Sequence, residues 1–481
     1  MSLSKSCNRL IPAVTAVLMC VAVSFAQIEQ GSLKLSGFVS MESGQLVKYK
    51  VNSMDFLHQW VQKNKIGINF ISDINERLGV YVTTGGIISY NTIPSSAIGR
   101  PDDFANSTFV GLFIDRAEMV LRLGPDPEEG LLDIGIGIWN EKYNHEAKNL
   151  GEYLFRSGAY PGYIYQSGFD ECFYNLAGIH INNQLFGVWH NELFLTSELY
   201  LTPFCDFSIG YVTDISLAKK VINFGAGAQL FRLFSVDEEQ TTPQALIGDP
   251  SIELFTQPNF YRDSIGVDGL GLPIYDTIYY TFAGTKVMAR AMLDPKPLFG
   301  LDIFGAEDLK IYFEAAILGL KNYPNSPLEH RSIPVGKWIN KFGFDTLLQK
   351  MPIMMGFNFP AFKILDLVSL QLEYYGKKYV NAVPLPCGSR KGKYYPVSTI
   401  PYNPGGGSVY DSLYEQGGAV NWKWSVYVQK TIFDNFSITA QAARDHLLNT
   451  VRGLSMLEVD REEALVQNKH WYWMIKFSGN F

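Results

Sequence analysis

The sequence predicts an all-β protein, a transmembrane antiparallel β-barrel of about 16 strands, roughly 14 to 18 if one hairpin is misread. Three observations predict it: an aromatic-rich composition poor in charge, apolar residues at every second position, and links of alternating length. Charged residues make up 18% of the 481 residues, aromatic residues make up 14%, and mean hydropathy is +0.01. Outside residues 1–26 no apolar run reaches the roughly 18 residues that a membrane helix needs, which excludes a helical membrane protein.

Residues 1–26 have the pattern of a secretory signal peptide. Lys5 and Arg9 make a positive start, an apolar stretch follows, and small residues stand at the predicted cleavage position. The alternative, a buried N-terminal helix, is disfavoured because nothing downstream is helical enough to pack against it. We therefore expect an exported chain whose residues 27–481 form the barrel.

The remaining chain is predicted to consist of strands almost from end to end. Leu132, Ile134 and Ile136 alternate with Asp133 and Gly135, for example, and such a period of two puts every second side chain on one face of a sheet. The candidate strands centre near residues 33–41, 65–73, 78–89, 115–124, 131–140, 173–182, 189–199, 207–214, 221–233, 281–292, 309–319, 352–359, 365–375, 422–431, 436–444 and 470–481.

The links between these segments alternate in length, as expected for long extracellular loops and short periplasmic turns. The even-numbered links are short except for 294–308, and the odd-numbered links are long except for the seventh, around 201–206. One long link, 43–64, contains an amphipathic stretch at 54–62 that predicts a short helix. The link at 234–280 is acidic and that at 376–420 is basic, so the two either pack over the barrel mouth or are simply solvated.

The last strand carries the most specific pattern. Trp473, Ile475, Phe477 and the final Phe481 occupy alternate positions, and Gly479 stands where a larger apolar residue is common. This resembles the C-terminal assembly signal of Gram-negative outer-membrane β-barrel proteins. Residues 33–39 are similar to the first strand of porins, which pairs with the last strand to close the barrel. The resemblance is to porin-like architecture and to no specific subfamily.

The resemblance implies a cell outer membrane protein and a porin-like channel for passive diffusion of small hydrophilic solutes or ions. The alternatives are a surface-exposed structural barrel that binds a glycan or a partner protein and, with less support, an enzyme sited at the rim. Expected partners are outer-membrane lipid, the barrel assembly machinery, small hydrophilic solutes and further copies of the chain. A net charge of −7 offers nucleic acid no broad basic surface.

Strand parity places a set of charged residues on the inner face, where they would either line a pore and orient polar solutes or merely solvate a polar interior. These candidates are Glu118, Arg122, His190, Glu192, Glu198, Lys286, Arg290, Lys310, Glu314, Glu373 and Lys423. Aromatic residues at strand ends predict an interfacial girdle. These are Trp139, Tyr374, Tyr375, Trp471, Tyr472 and Trp473.

Neither a metal site nor a catalytic site is predicted, and no cofactor is expected. His180, His190 and Glu192 share one hairpin, but seven histidines in the chain place two on one hairpin easily by chance. Asp445 and His446 stand at one predicted rim. Adjacent strand residues point to opposite faces, however, so this Asp is poorly placed to orient its neighbour.

The cysteines allow at most one intramolecular disulfide after export, since Cys172, Cys205 and Cys387 alone follow the predicted signal peptide. The strand count puts Cys172 and Cys205 at the same rim, on strands close enough for a bridge. An exported compartment is oxidising, so such a bond would persist. The alternative is three free thiols.

Overall fold

The computed structural model describes the barrel wall and part of its links. The described residues are 32–51, 54–91, 107–124, 131–156, 164–165, 174–197, 207–218, 220–231, 260–267, 269, 273–300, 303–325, 351–374, 422–433, 435–445, 451–452, 459–460, 465 and 467–481. The predicted signal peptide and the three cysteines that follow it lie outside these residues. So do most of the acidic link 234–280 and all of the basic link 376–420.

Sixteen strands form a closed antiparallel barrel, which confirms the predicted fold class and strand number. Each strand pairs with the next along the chain, and the last pairs with the first. The strands are β1 (Ser32–Val51), β2 (Met54–Asn75), β3 (Leu78–Asn91), β4 (Ser107–Leu123), β5 (Leu132–Glu141), β6 (Tyr174–Leu185), β7 (Trp189–Ser197), β8 (Phe207–Leu217), β9 (Ile222–Phe231), β10 (Pro273–Leu293), β11 (Ile311–Asn325), β12 (Ile353–Asn358), β13 (Leu367–Tyr374), β14 (Trp422–Ile432), β15 (Phe436–Arg444) and β16 (Trp471–Asn480). Among the described residues, two short helices, α1 (Tyr153–Arg156) and α2 (Lys296–Phe299), lie in links.

Additional short strands extend the sheet at its margins. Phe260–Val267 pairs with β10, and Ile164–Tyr165 pairs with β6. A separate ribbon joins Val451–Arg452 to Val459–Asp460. None of the helices in the described part of the chain is long and apolar enough to cross a membrane.

The predicted helix at 54–62 is wrong. These residues belong to β2, which pairs with β1 along its whole length. The register is continuous from the pair of Ser32 with Asp73 to the pair of Val51 with Met54, apart from a gap at position 47. The first long link is therefore an extension of the β1–β2 hairpin itself. Pairing in the ladder satisfies every second backbone N–H and C=O of each strand against its neighbour, which an isolated nine-residue helix cannot do as well.

The wall has an apolar outer face and a polar inner face. On β4, the outward side chains of Val110, Leu112 and Ile114 are between 51% and 69% exposed. A register shift opposite Thr83 and Thr84 follows them, and beyond it Glu118 lies buried on the inner face. Outward apolar side chains recur on the other strands, so the barrel presents an apolar belt to its surroundings.

Aromatic side chains gather on the outer face toward the end of the barrel that carries the long links. The ring pairs Trp60–Trp473, Tyr374–Trp422 and Trp424–Trp471 have centroids 5.5, 4.8 and 6.4 Å apart. Tyr472 and Trp139 do not belong to this girdle, although the sequence pattern placed them there. Both side chains point inward and are almost completely buried, because each has the parity of the inner face. Tyr375 lies outside the described residues.

Candidate functional site

The barrel interior contains a chain segment, residues 142–156, which we call the inner segment. It leaves the wall at the end of β5 and makes hydrogen bonds to Glu314 on β11 and to Gln371 and Glu373 on β13. In the closed ring β13 lies half a turn away from β5. The inner segment therefore crosses the barrel interior from one wall to the other.

Apolar packing holds the inner segment against the wall. Tyr143, Ala147, Leu150, Tyr153, Leu154 and Phe155 are buried in one cluster with wall residues Trp139, Leu176, Phe194, Val212, Met288, Tyr312, Ala316 and Met354. Burial of a large apolar side chain contributes about 2 kcal/mol, so the cluster as a whole contributes on the order of 10 kcal/mol. The sequence reasoning missed this cluster. The sequence pattern that could have revealed it is a set of apolar residues at positions 143, 147, 150 and 154. This spacing puts them on one face of a helix within an otherwise polar link.

Glu314 is the main polar anchor of the inner segment. Its carboxylate is completely buried and accepts hydrogen bonds from Tyr143 Oη and Asn144 Nδ2, both at 2.6 Å. It also accepts the backbone N–H groups of Glu152 and Tyr153, at 3.0 and 2.9 Å. Burial raises the pKa of the Tyr143 phenol well above its usual value, so the phenol remains a donor. One wall residue thus fixes both ends of the segment.

Further anchors hold the middle of the segment. The Gln371 Oε1 atom accepts the N–H groups of Asn149 and Leu150, at 3.1 and 3.2 Å. Asp445 accepts Asn149 Nδ2 at 2.7 Å and the Tyr472 hydroxyl at 2.6 Å. The Asp445 carboxylate, considered above as a partner for His446, is therefore engaged in holding the segment, while His446 lies outside the described residues.

Replacing Glu314 by Leu should loosen the inner segment without releasing it. The substitution leaves four donors without their acceptor, a loss of about 4 kcal/mol at about 1 kcal/mol each, which is less than the contribution of the apolar cluster. We expect faster proteolysis within residues 142–156 of the folded barrel. Glu118→Leu is the matched control, because Glu118 is also buried and inward but bonds to Arg116 and His180. Equal effects of both variants would contradict the anchoring role.

A second polar cluster lies on the wall from β4 to β7. His180 contacts Glu118 through Nε2 and Glu192 through Nδ1, the latter at 3.2 Å, and Arg116 pairs with Glu118 at 2.6 Å. Glu192 lies on β7, next to the His180 strand β6, whereas Glu118 lies on β4, two strands away. The His180 ring must therefore pass across β5 to reach Glu118. Gly135 on β5 makes this passage available, because a Cβ atom there would overlap the His180 ring.

Gly135→Val should therefore break the contact between His180 and Glu118. The added side chain occupies the space of the imidazole and leaves a buried carboxylate with one partner fewer, at a cost of about 2 kcal/mol. The expected result is a lower urea midpoint of the folded barrel. Gly86→Val, where a Cβ would meet nothing closer than 3.9 Å, is the control expected to change the midpoint little.

The other predicted inner residues lie on the inner face and fall into small groups with partners. His190 and Arg290 both contact Asp214, at 3.3 and 3.2 Å. Arg122 lies 3.6 Å from Asp73 and bonds to the Tyr81 hydroxyl.

The three predicted lysines also contact buried parts of the chain. Lys310 pairs with Glu146 of the inner segment at 3.2 Å, and Lys286 donates to the Leu154 carbonyl at 3.3 Å. Lys423 donates to the Leu465 carbonyl at 2.9 Å. Glu198 lies outside the described residues. Whether this set lines a water-filled pore stays a prediction.

Sequence reasoning did not single out the wall formed by β16, β1, β2 and β4. Lys65 pairs with Asp115 at 2.8 Å and lies 4.4 Å from the centroid of the Phe113 ring. Glu42 lies 3.7 Å from both Lys63 and Lys476. Lys65 and Lys476 lie within predicted strands, where parity could have identified them, whereas Glu42 and Lys63 lie just beyond the predicted strand ends. The register shift opposite Thr83 and Thr84 hides the inward position of Asp115 from a parity argument. Within the described ranges no group of three or more His, Cys, Asp or Glu residues could hold a metal ion.

Comparison with known proteins gives structural similarity alone. No family model and no curated protein matches the chain. Among solved structures, OprB of Pseudomonas putida is 8% identical with a TM-score of 0.44 and coverage of 94% of each chain. OmpF of Salmonella typhi is 9% identical with a TM-score of 0.43, covering 93% of this chain and 97% of that one. A mutant of the Rh. blastica porin is 7% identical with a TM-score of 0.37, covering 94% and 100%. The architecture described above depends on the strand pairing of this chain and not on these matches.

Proposed function

We propose that the chain is an outer-membrane channel of the porin kind, through which small hydrophilic solutes and ions diffuse passively. The observation that carries this proposal is a closed barrel with an apolar outer belt and charged residues on its inner face. Lipid solvates apolar side chains, and closure leaves no unpaired strand edge in hydrocarbon. Lipid of the outer membrane, the barrel assembly machinery and further copies of the chain are the partners that this proposal entails.

The passage is proposed to run between the inner segment and the wall of β16, β1, β2 and β4. The wall of β5 to β15 supplies the contacts of the inner segment, whereas Lys65, Asp115 and Glu42 lie on the other side. A segment that crosses the interior narrows the passage and sets the size limit for solutes. In this proposal no residue acts as a catalyst.

We expect near-neutral selectivity or a weak cation preference. The proposed passage carries both signs, since Lys65 faces Asp115 and Glu42 lies between two lysines. Removal of Lys5 and Arg9 with residues 1–26 takes the net charge from −7 to −9. Link charges farther than about 8 Å from the passage are screened at physiological salt. Reversal potentials in a salt gradient measure this, and strong anion selectivity would contradict it.

Single-channel recording decides the proposal itself. The chain without residues 1–26, refolded in detergent and added to a planar bilayer, should give stable conductance steps. The alternative with a specific observation behind it is a closed, surface-binding barrel, because the inner segment crosses the interior. A barrel that inserts, resists heat in a gel assay and gives no conductance would establish that alternative and end the channel proposal.

A further inference from the structure

Three neighbouring links at the short-turn end of the barrel expose a set of apolar side chains, which we call the rim patch. Its members are Leu298, Phe299, Ile303, Phe362, Ile364 and Phe433, each more than half exposed. They come from the β10–β11 link, the β12–β13 turn and the β14–β15 turn. Clustered exposed apolar side chains of this size mark an interaction surface rather than ordinary scatter.

Polar contacts behind the patch join the three links into one surface. Asp308 Oδ2 accepts the N–H of Phe362 at 3.1 Å, and the rings of Phe304 and Phe362 lie 5.7 Å apart. Asp366 of the β12–β13 turn pairs with Lys430 at the end of β14, at 3.3 Å, and accepts the N–H of Thr431. These polar groups hold the backbone of the links in place, while the apolar side chains of the rim patch remain exposed.

Several turn residues have positive φ values, which their bulky side chains disfavour. Phe362 and Lys363 have φ values of 52° and 64°, and Ile364 N–H bonds to Ala361 O at 2.9 Å. Two consecutive residues of positive φ favour Asn-Gly, and a bulky aromatic residue there is a strained choice. Phe433 repeats this with a φ of 55°. Strain of this kind is consistent with a role for the projecting side chains.

Lysines accompany the apolar tips in each link. Lys363 lies between Phe362 and Ile364 at the tip of the β12–β13 turn. Lys296 and Lys430 lie in the neighbouring links, where they pair with Asp294 at 2.9 Å and with Asp366 at 3.3 Å. Apolar side chains with lysines beside them match the boundary between acyl chains and anionic headgroups. The patch also continues the apolar outer face, since the outward Leu293, Ile311 and Phe359 adjoin these links.

We propose that the rim patch is a membrane foot, which inserts into the near lipid leaflet and binds anionic phospholipid headgroups through Lys363. The inference rests on the proposed membrane location of the barrel and adds a specific lipid-binding surface at one sector of its rim. In contrast, the β2–β3 turn at the same end presents the polar residues Asn75, Glu76 and Arg77 to solvent.

Site-specific fluorescence quenching tests the foot. In the chain without residues 1–26 and with its three remaining cysteines replaced by Ser, an environment-sensitive dye is attached to Ile364→Cys, Phe433→Cys, Met355→Cys or Glu76→Cys. Met355 lies on the outer face of β12 and reports on the barrel itself, while Glu76 is the matched water control at the same rim. The dye is quenched either by iodide in water or by nitroxide-labelled lipid in vesicles.

We expect lipid quenching and protection from iodide at 364 and 433, as at 355, and the reverse at 76. Iodide access at 364 and 433 equal to that at 76, with lipid quenching at 355, would overturn the foot and leave the membrane barrel intact. Loss of lipid quenching at 355 as well would instead overturn the proposed function.

A comparison of two lipid probes tests the headgroup claim. Nitroxide-labelled phosphatidylglycerol should quench the dye at 364 about two- to fivefold more effectively than labelled phosphatidylcholine, because each lysine at an anionic surface favours the anionic lipid. Lys363→Gln should reduce this ratio toward one. Equal quenching by both lipids in the chain with Lys363 would overturn headgroup recognition.

Discussion

Replacing residues 142–173 by a short glycine-serine turn should increase the single-channel conductance by roughly threefold or more, because pore cross-section governs conduction. The design is compatible with the wall, since Glu141 and Tyr174 already pair across β5 and β6 and a hairpin turn can join them directly. Removing the segment takes away the chain that crosses the interior. It leaves Glu314 and Glu373 open to water.

The same replacement should lower stability without unfolding the barrel. About 10 kcal/mol of apolar burial is lost, but every strand pair of the wall is retained. Heat resistance in a gel assay checks the fold, and conductance with solutes of graded size checks the passage. The increase in conductance should be largest for the segment replacement, smaller for Glu314→Leu and smallest for Glu118→Leu. Conductance unchanged by the replacement would show that ions do not pass the inner segment.

Deleting Phe481 should reduce assembly of the barrel by a factor of about 100, which corresponds to about 3 kcal/mol. Phe481 and Gly37 exchange two backbone hydrogen bonds of 2.7 and 2.9 Å, the last contacts between the final residue and β1. The Phe481 ring lies where a Cβ atom of Gly37 would be, so it packs closely on β1. Each hydrogen bond contributes about 1 kcal/mol and the ring adds a similar amount.

Phe481→Ala separates the two contributions. It retains both backbone bonds and loses the ring, so we expect roughly a tenfold effect. Urea-dependent folding into lipid vesicles measures the equilibrium, and outer-membrane levels in cells measure assembly. Normal folding and normal levels after deletion of Phe481 would contradict both the closure argument and the predicted assembly signal, which includes Trp473, Ile475 and Phe477.

Much of the wall could be predicted because its signal is local. A strand in a membrane barrel has one face in lipid and one face toward the interior, so apolar side chains recur at every second position of each strand. This periodicity located all sixteen strands and put Glu118, Glu192 and Glu314 on the inner face. Periodicity failed at residues 54–62, where both faces of the strand have similar polarity. At Trp139 and Tyr472 the parity indicates the inner face correctly, and the assignment to the girdle, made from residue type, was wrong.

The alternation that each strand carries independently is therefore enough to predict the barrel, its strand number and its closure. What occupies the interior depends on contacts between residues far apart in the chain. The inner segment has its position because Tyr143 and Asn144 meet Glu314, about 170 residues further along the chain. The three links of the rim patch likewise become one surface through contacts such as that of Asp308 with Phe362. Closing the ring brings such distant residues together, and no local periodicity encodes which of them will meet.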